Sequence, residues 1–145
     1  VIDPLSFLKQ IVHKYMKKGS VLQIEVPNDF NAFQLAAQEV NELDQWWVAP
    51  PAHLNYFSFQ SLKNLCLDVG LKHRASRSSF PMEIFLLMGQ NYVSNPELGS
   101  SCHQQRKLFE ENMVKTGNIE VLDKLYESLS TVELGRLVVM FLEKE

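Results

Sequence analysis

The sequence predicts an α/β domain with a small mixed sheet of about three strands and several helices that outweigh them. The run at 20–26 is rich in β-branched and aliphatic residues and ends at a Pro-Asn-Asp turn, as a strand would. The run at 72–78 is polar enough for an edge strand, and 135–143 has the strongest β pattern of the chain. We expect this last strand to pair in an antiparallel direction.

Helical spacing accounts for most of the remaining sequence. Asp3 followed by Pro4 is typical of a helix start, because aspartate accepts a hydrogen bond from the first turn and proline suits the first helical position. Lysines then precede Gly19, which we expect to end this helix. Further helices are predicted at 31–43, 58–70, 80–88, 103–114 and 119–129, and a loop-rich stretch is predicted at 91–101.

Composition indicates one domain spanning residues 1–145, since 46% hydrophobic and 21% charged residues are ordinary for a small core. A net charge of -3 provides no basic surface for nucleic acid. No apolar run is long enough to cross a membrane, and no signal-peptide pattern is present. Cys66 and Cys102 lack a C-x-x-C spacing, so we expect two reduced thiols in a cytoplasmic protein.

The segment 46–62, with the sequence W-W-V-A-P-P-A-H-L-N-Y-F-S-F-Q-S-L, concentrates the chemically interesting side chains. Its two prolines restrict the backbone, and its aromatic residues surround His53 on an irregular stretch between two predicted helices. Loops held between rigid elements often carry binding and catalytic groups. The segment is therefore the first candidate for a functional site.

Several short motifs occur in a suggestive order along the chain. They are K-K-G-S-V-L-Q-I-E-V-P-N, H-L-N-Y-F-S-F-Q-S-L-K-N-L, D-V-G-L, F-P-M-E-I-F-L-L-M-G-Q-N-Y and L-G-R-L-V-V-M-F. Together they resemble the carboxyl-terminal half of class I S-adenosylmethionine-dependent methyltransferases, especially branches that modify small molecules and sugars. The resemblance implies a partial Rossmann-like fold in which the last strand lies between the other two, with substrate-side inserts at 30–57 and 80–130.

The same resemblance implies that the cofactor-binding half is missing. Methyltransferases of this class hold the cofactor on a glycine-rich turn after the first strand and an acidic residue after the second. None of the six glycines here forms such a turn, and Val1 corresponds to the turn after the fourth strand of the family. We therefore expect S-adenosylmethionine to bind the full-length enzyme and not this chain alone, which would be inactive. The open edge favours pairing with the missing amino-terminal half or self-association.

His53 and Tyr56 are the catalytic residues that the resemblance implies. An imidazole can take a proton from a carbon, hydroxyl or amine as that atom receives a methyl group, and Tyr56 would assist by binding substrate or relaying the proton. The alternative is that His53 hydrogen-bonds a backbone carbonyl and so rigidifies the loop, while Tyr56 and Phe57 belong to the core.

Seven further residues are candidates for contacts with a small-molecule methyl acceptor. They are Asn28, Trp46, Trp47, Phe57, Tyr92, His103 and Arg106. The tryptophans suit stacking on a sugar or base, although packing of the 31–43 helix onto the sheet is at least as good an account. Asn28 is also a turn former, and a surface network is the favoured interpretation for Arg106. Cys102-His103 has no second ligand pair at zinc spacing, so no metal site is predicted.

Three functional interpretations follow from the sequence. The first is the substrate-binding part of a methyltransferase. The second is a non-catalytic interaction or partner-subunit domain derived from the same fold. The third and weakest is an unrelated helical interaction domain whose motif matches arise by chance.

Overall fold

The computed structural model describes all residues from 1 to 145 as six helices and three strands. The helices are α1 (Pro4–Lys14), α2 (Ala32–Val40), α3 (Phe59–Asp68), α4 (Glu83–Leu87), α5 (Pro96–Lys115) and α6 (Ile119–Thr131). The strands are β1 (Val21–Pro27), β2 (Leu71–Arg77) and β3 (Leu137–Lys144). The predicted α/β class and the excess of helix over strand are confirmed.

The sheet has the order β1-β3-β2, so the last strand is central as expected. β3 pairs in an antiparallel direction with both neighbours. The prediction of a mixed sheet is therefore wrong: β1 and β2 run parallel to each other, but β3 separates them. β3 alone has a strand neighbour on each side, and four of its eight residues, Val138, Val139, Met140 and Leu142, are buried, in keeping with its strong apolar pattern.

Two helices cover one face of the sheet and form the main core. Leu8, Val12 and Met16 in and after α1 and Phe59, Leu62 and Cys66 of α3 pack against Leu71, Val138, Met140 and Leu142. Both cysteines are free and completely buried, as expected of reduced core thiols. A smaller core of Met82, Phe85 and Cys102 joins α4 to α5.

Capping signals locate several helix starts correctly. The Asp3 carboxylate accepts from the Ser6 backbone N–H at 3.0 Å, and Ser58 forms a reciprocal capping box with Ser61. Some boundaries differ from the prediction. α1 ends at Lys14 rather than at Gly19, which instead has φ +80° in the turn before β1. α2 ends at Val40 and α4 is only five residues long.

The largest error concerns α5, which begins at Pro96 rather than at His103. The stretch 96–101 is therefore helix and not loop. Asn95 accepts a hydrogen bond from the Leu98 N–H at 3.0 Å and is followed by proline, which repeats the Asp3-Pro4 arrangement. Of the six helices, none combines the length and apolar character that crossing a bilayer requires.

The two outer strands differ in what lies beside them. β2 contains a bulge between His73 and Ala75, and α6 covers part of its outer edge: the Ser78 N–H donates to the Tyr126 carbonyl, and the Ser130 hydroxyl donates to the Ser76 carbonyl. β1 has no second strand neighbour. The outer edge of β1 therefore pairs with no strand, and it is called the open edge of the sheet below.

Candidate functional site

An apolar groove of about 530 Å³ runs along the open edge of β1. Its walls come from four elements: α1, β1, the loop at 52–57, and α3, which contributes Leu62 and Leu65. The apolar lining residues used below are Phe7 and Ile11 of α1, Ile24 and Val26 of β1, and Leu54 and Phe57 of the loop. Of the nine predicted site residues, only His53 and Phe57 line this groove.

The side chain of His53 is exposed at the groove, and its ring has no hydrogen bond to the protein. Its backbone is nevertheless well held. The His53 N–H donates to the Ala49 carbonyl at 3.0 Å, and the His53 carbonyl accepts from the Tyr56 hydroxyl at 3.0 Å. The imidazole is therefore free to meet a ligand while its backbone is fixed.

Tyr56 braces this loop. Its hydroxyl accepts from the Ala49 N–H at 3.1 Å and donates to the His53 carbonyl, so both its donor and one acceptor position serve the main chain. The bracing role that the sequence left open for His53 thus belongs to Tyr56. In this arrangement the Tyr56 hydroxyl directs its proton at the His53 carbonyl and so positions the backbone of His53.

Asp29 is a residue that the list of site candidates omitted. It follows Asn28 at the carboxyl end of β1, its side chain is buried, and its N–H donates to the Phe57 carbonyl at 2.8 Å. Burial raises the pKa of the Asp29 carboxyl, while a main-chain hydrogen bond at Phe57 and the charge of His53 oppose this increase. Its position at the carboxyl end of an apolar strand, where open α/β sheets bind ligands, is the sequence signal that points to it together with Asn28.

Asn28 is almost fully buried, with 1% of its surface exposed. Its side-chain nitrogen donates to the Glu133 carbonyl at 2.8 Å and to the Gly135 carbonyl at 3.0 Å. Its backbone N–H donates to the Arg136 carbonyl. These bonds hold the end of β1 against the segment before β3. Asn28 does not line the groove.

The tryptophans form an aromatic cluster beside the loop. The rings of Trp46 and Trp47 meet edge to face at 4.7 Å between centroids, and Phe30 contacts Trp47 at 5.6 Å and Tyr56 at 6.1 Å. Neither tryptophan lines the groove. These contacts join the loop to Phe30, just before α2, and none of them is with the sheet, so the predicted packing of the 31–43 helix onto the sheet by the tryptophans stays a prediction.

Tyr92, in the segment between α4 and α5, and His103 and Arg106 of α5 belong to a second group. Tyr92 packs against the Met82, Phe85 and Cys102 core. Arg106 binds the Glu110 carboxylate at 2.6 Å, and Glu110 also accepts from a tyrosine hydroxyl on α6. His103 is exposed. These three residues therefore lie outside the groove that contains His53.

No group of three or more His, Cys, Asp or Glu side chains is arranged to hold a metal ion. No family model matches this sequence, and no curated protein matches it.

Proposed function

We propose that this chain is the substrate-binding part of an S-adenosylmethionine-dependent methyltransferase with a partial Rossmann-like fold, acting on a small molecule such as a sugar or nucleotide sugar. The observation that carries the proposal is the location of His53, whose unbonded imidazole lies at an apolar groove beside an unpaired strand edge. Such a groove can bind the apolar face of a methyl acceptor while the imidazole contacts the reactive group of that acceptor.

His53 would act as the general base. A neutral imidazole accepts the proton from the acceptor carbon, hydroxyl or amine as the new bond to carbon forms, and groups of this type contribute roughly 10²–10⁴-fold to a rate. Asp29 is close enough for the two charges to interact, so it would stabilise the imidazolium that results. Tyr56 would fix the position of the loop that carries the base.

The residues of this chain do not fit the methyl donor. The strand ends here carry no glycine-rich turn leading into a helix, and the groove walls are largely apolar. The donor would therefore be held by a complementary cofactor-binding half. The open edge of β1 supports this division, because its unpaired N–H and C=O groups suit the addition of another strand.

Calorimetry with S-adenosylmethionine tests whether cofactor binding requires a part of the protein outside this chain. The chain alone should give no binding heat, whereas the protein encoded by the full-length gene should bind the cofactor and carry a glycine-rich turn upstream. Tight binding by the chain alone would contradict the missing-half proposal, and failure of the full-length protein to bind would remove the methyltransferase assignment.

His53→Ala in the full-length protein tests the base. Turnover should fall about 10²- to 10⁴-fold with little change in cofactor affinity. His13→Ala is the matched control, because His13 is an exposed histidine of α1 that does not line the groove. Equal turnover of the His53 variant and the wild-type protein would refute the assignment.

The second candidate function is a non-catalytic partner domain, and the same open edge favours it. A groove flanked by the exposed ring of Phe7 and by an unpaired strand can receive a strand from another chain or from a second copy. Sedimentation of the isolated chain over a range of concentrations measures self-association. Cofactor binding without turnover in the full-length protein would favour this alternative over catalysis.

A further inference from the structure

A second cavity, of about 470 Å³, opens between α3, β2 and the end of α6. It shares no lining residue with the groove that contains His53. Only three of its eleven lining residues are hydrophobic, so its walls are mainly polar. From β2 it receives the side chains of His73 and Ser76, both half-buried. The cavity is therefore a separate concave site, and its chemistry differs from that of the apolar groove.

The bulge in β2 puts His73 and Ser76 on the same face of the sheet. Side chains alternate along a regular strand, so residues three positions apart point to opposite faces. Here His73 pairs with Leu142 and Ser76 pairs with Met140, which lie two positions apart on β3 and share a face. Arg74 is the extra residue of the bulge. As a result, His73 Nε2 and Ser76 Oγ are joined by a hydrogen bond of 2.7 Å.

This hydrogen bond joins a hydroxyl to a base. Of the four histidines, only His73 has a ring hydrogen bond within the protein. An imidazole with the ordinary pKa of about 6.5 is already mostly neutral at pH 8, and burial together with the charge of Lys63 lowers the pKa of His73 further. With the imidazole proton on Nδ1, Nε2 accepts from the Ser76 hydroxyl. Covalent acyl transfer uses a serine hydroxyl held by a base in this way.

We propose that Ser76, with His73 as its base, is a nucleophile that takes the acyl group of a small ester bound in this cavity. Ser76 Oγ forms a bond with the acyl carbon while the hydroxyl proton passes to His73 Nε2. The bond from that carbon to the leaving oxygen then breaks, and the leaving alcohol takes the proton from Nε2. Water that gives a proton to His73 attacks the acyl group, releases it as a carboxylic acid and restores the serine hydroxyl.

The rest of the cavity is compatible with this reaction. Lys63 of α3 lines the cavity and makes no ion pair, so its charge is available to the negative charge that develops on the carbonyl oxygen. The volume lies in the range of small-molecule sites. No carboxylate bonds to the His73 ring, so the pair lacks the third member of a triad and acylation should be slow. The reaction needs no methyl donor and does not rest on the proposed function.

The test is acylation with p-nitrophenyl acetate at pH 8, followed by acid quenching and peptide mapping by mass spectrometry. The wild-type chain should carry the acetyl group on Ser76 and release an equal amount of p-nitrophenolate. This map locates the adduct without any variant. Acetyl groups confined to lysines or to the amino terminus would overturn the proposal and leave the hydrogen bond as a structural feature of the bulge.

His73→Gln should slow the acylation of Ser76 about 10²-fold or more, because glutamine can hydrogen-bond the hydroxyl but cannot take its proton. His13→Gln is the matched control, since His13 is exposed on α1 and lines neither cavity, and it should leave the rate unchanged. Circular dichroism checks that both variants fold. Equal rates of acylation in the two folded variants would refute the role of His73 as the base.

Discussion

Gly135 occupies a position that no other residue type can fill without local rearrangement. Its φ is +100°, and a Cβ built there would lie 2.0 Å from the Ser78 Oγ and 2.5 Å from the Ser79 carbonyl oxygen. The close approach allows Asn28 to bond with the Gly135 carbonyl and brings the ends of β1, β2 and β3 together. The absence of a side chain at Gly135 therefore permits the close approach of the segment that follows β2 to the segment that precedes β3.

Gly135→Ala should lower the free energy of unfolding by about 3 kcal/mol or more, through backbone strain and overlap. Gly89→Ala provides the control, because Gly89 also has positive φ but an added Cβ would meet nothing within 4 Å. Strain alone should cost the control about 1 kcal/mol. Urea denaturation measures both values, and similar losses would show that the contact with Ser78 is easily relieved.

The two cysteine thiols should not react with thiol reagents in the folded protein. Both are completely buried, and burial raises the pKa of the Cys66 thiol to about 11 and raises that of Cys102 as well. At pH 8 a thiol reagent should react with either residue only as fast as the protein opens, and rapidly in concentrated guanidinium. Prompt reaction of one thiol in the native protein would reveal local opening at that residue.

Glu83 makes stability depend on pH. Its carboxyl is protonated in both states below the unfolded pKa near 4.5, so it has no effect there. As the pH rises through 4.5, the Glu83 carboxyl ionises first in the unfolded chain. The free energy of unfolding therefore falls with rising pH until the higher pKa of the carboxyl in the native state is passed.

Glu83→Gln should consequently increase the free energy of unfolding at pH 7 by on the order of 1 kcal/mol and have little effect at pH 4, because the ionised form of a buried, unpartnered group is disfavoured. Glu39→Gln on exposed α2 surface is the control. Thermal melts between pH 4 and 8 give the difference. A variant that is equally destabilised at every pH would indicate that packing, not ionisation, governs this residue.

At the level of secondary structure, α5 demonstrates how far local capping determines a helix. Much of its surface is exposed, and only Cys102 is buried along its length, so an apolar stripe does not define its first two turns. The Asn95-Pro96 signal for a helix start is present in the sequence, but it lies among loop-forming residues. The helix was therefore predicted to begin at His103. The same signal at Asp3-Pro4 was recognised because apolar periodicity follows it immediately.

Asn95→Ala should destabilise the protein by about 1 kcal/mol, the usual effect of losing a side-chain cap. Ser94→Ala, at the preceding exposed position with no hydrogen bond, is the comparison. Chemical denaturation gives the free energies, and hydrogen exchange at the Leu98 amide reports the first turn directly. Unchanged exchange in the Asn95 variant would mean that water replaces the cap without loss.

The open edge of β1 should be visible in amide exchange. The Asn28 N–H bonds to Arg136 across the ladder, so alternation directs the amides of Ile24 and Val26 toward β3 and those of Gln23 and Glu25 outward. We expect slow exchange at Ile24 and Val26 and fast exchange at Gln23 and Glu25. Protection of the outward pair would indicate that another strand already occupies the edge.

For the molecule as a whole, sequence periodicity predicted the element order and the main core because α1, α3 and β3 bury most of what they contribute. The antiparallel direction and the central position of β3 agree with expectation; the error was to expect a mixed sheet, since β1 and β2 run parallel but do not pair with each other. The sequence prediction also grouped site residues that the fold separates, since the loop at 52–57 lies on the β1 side and His103 on α5. Asn28 illustrates the reason: its polarity suggested ligand contact, but buried backbone carbonyls use both of its donors.

The central position of β3 has a kinetic consequence. Both outer strands precede it in the chain, and the hydrogen bond from the Asn28 side chain, just after β1, to the Gly135 carbonyl, just before β3, joins residues 107 positions apart. During synthesis β1 and β2 would have no strand to pair with until residues 137–144 are available, and the faces bearing Ile24 and Leu71 would depend on helix contacts alone. β3 is thus the strand whose arrival lets β1 and β2 join one sheet and turns separate helix and strand fragments into a cooperative unit.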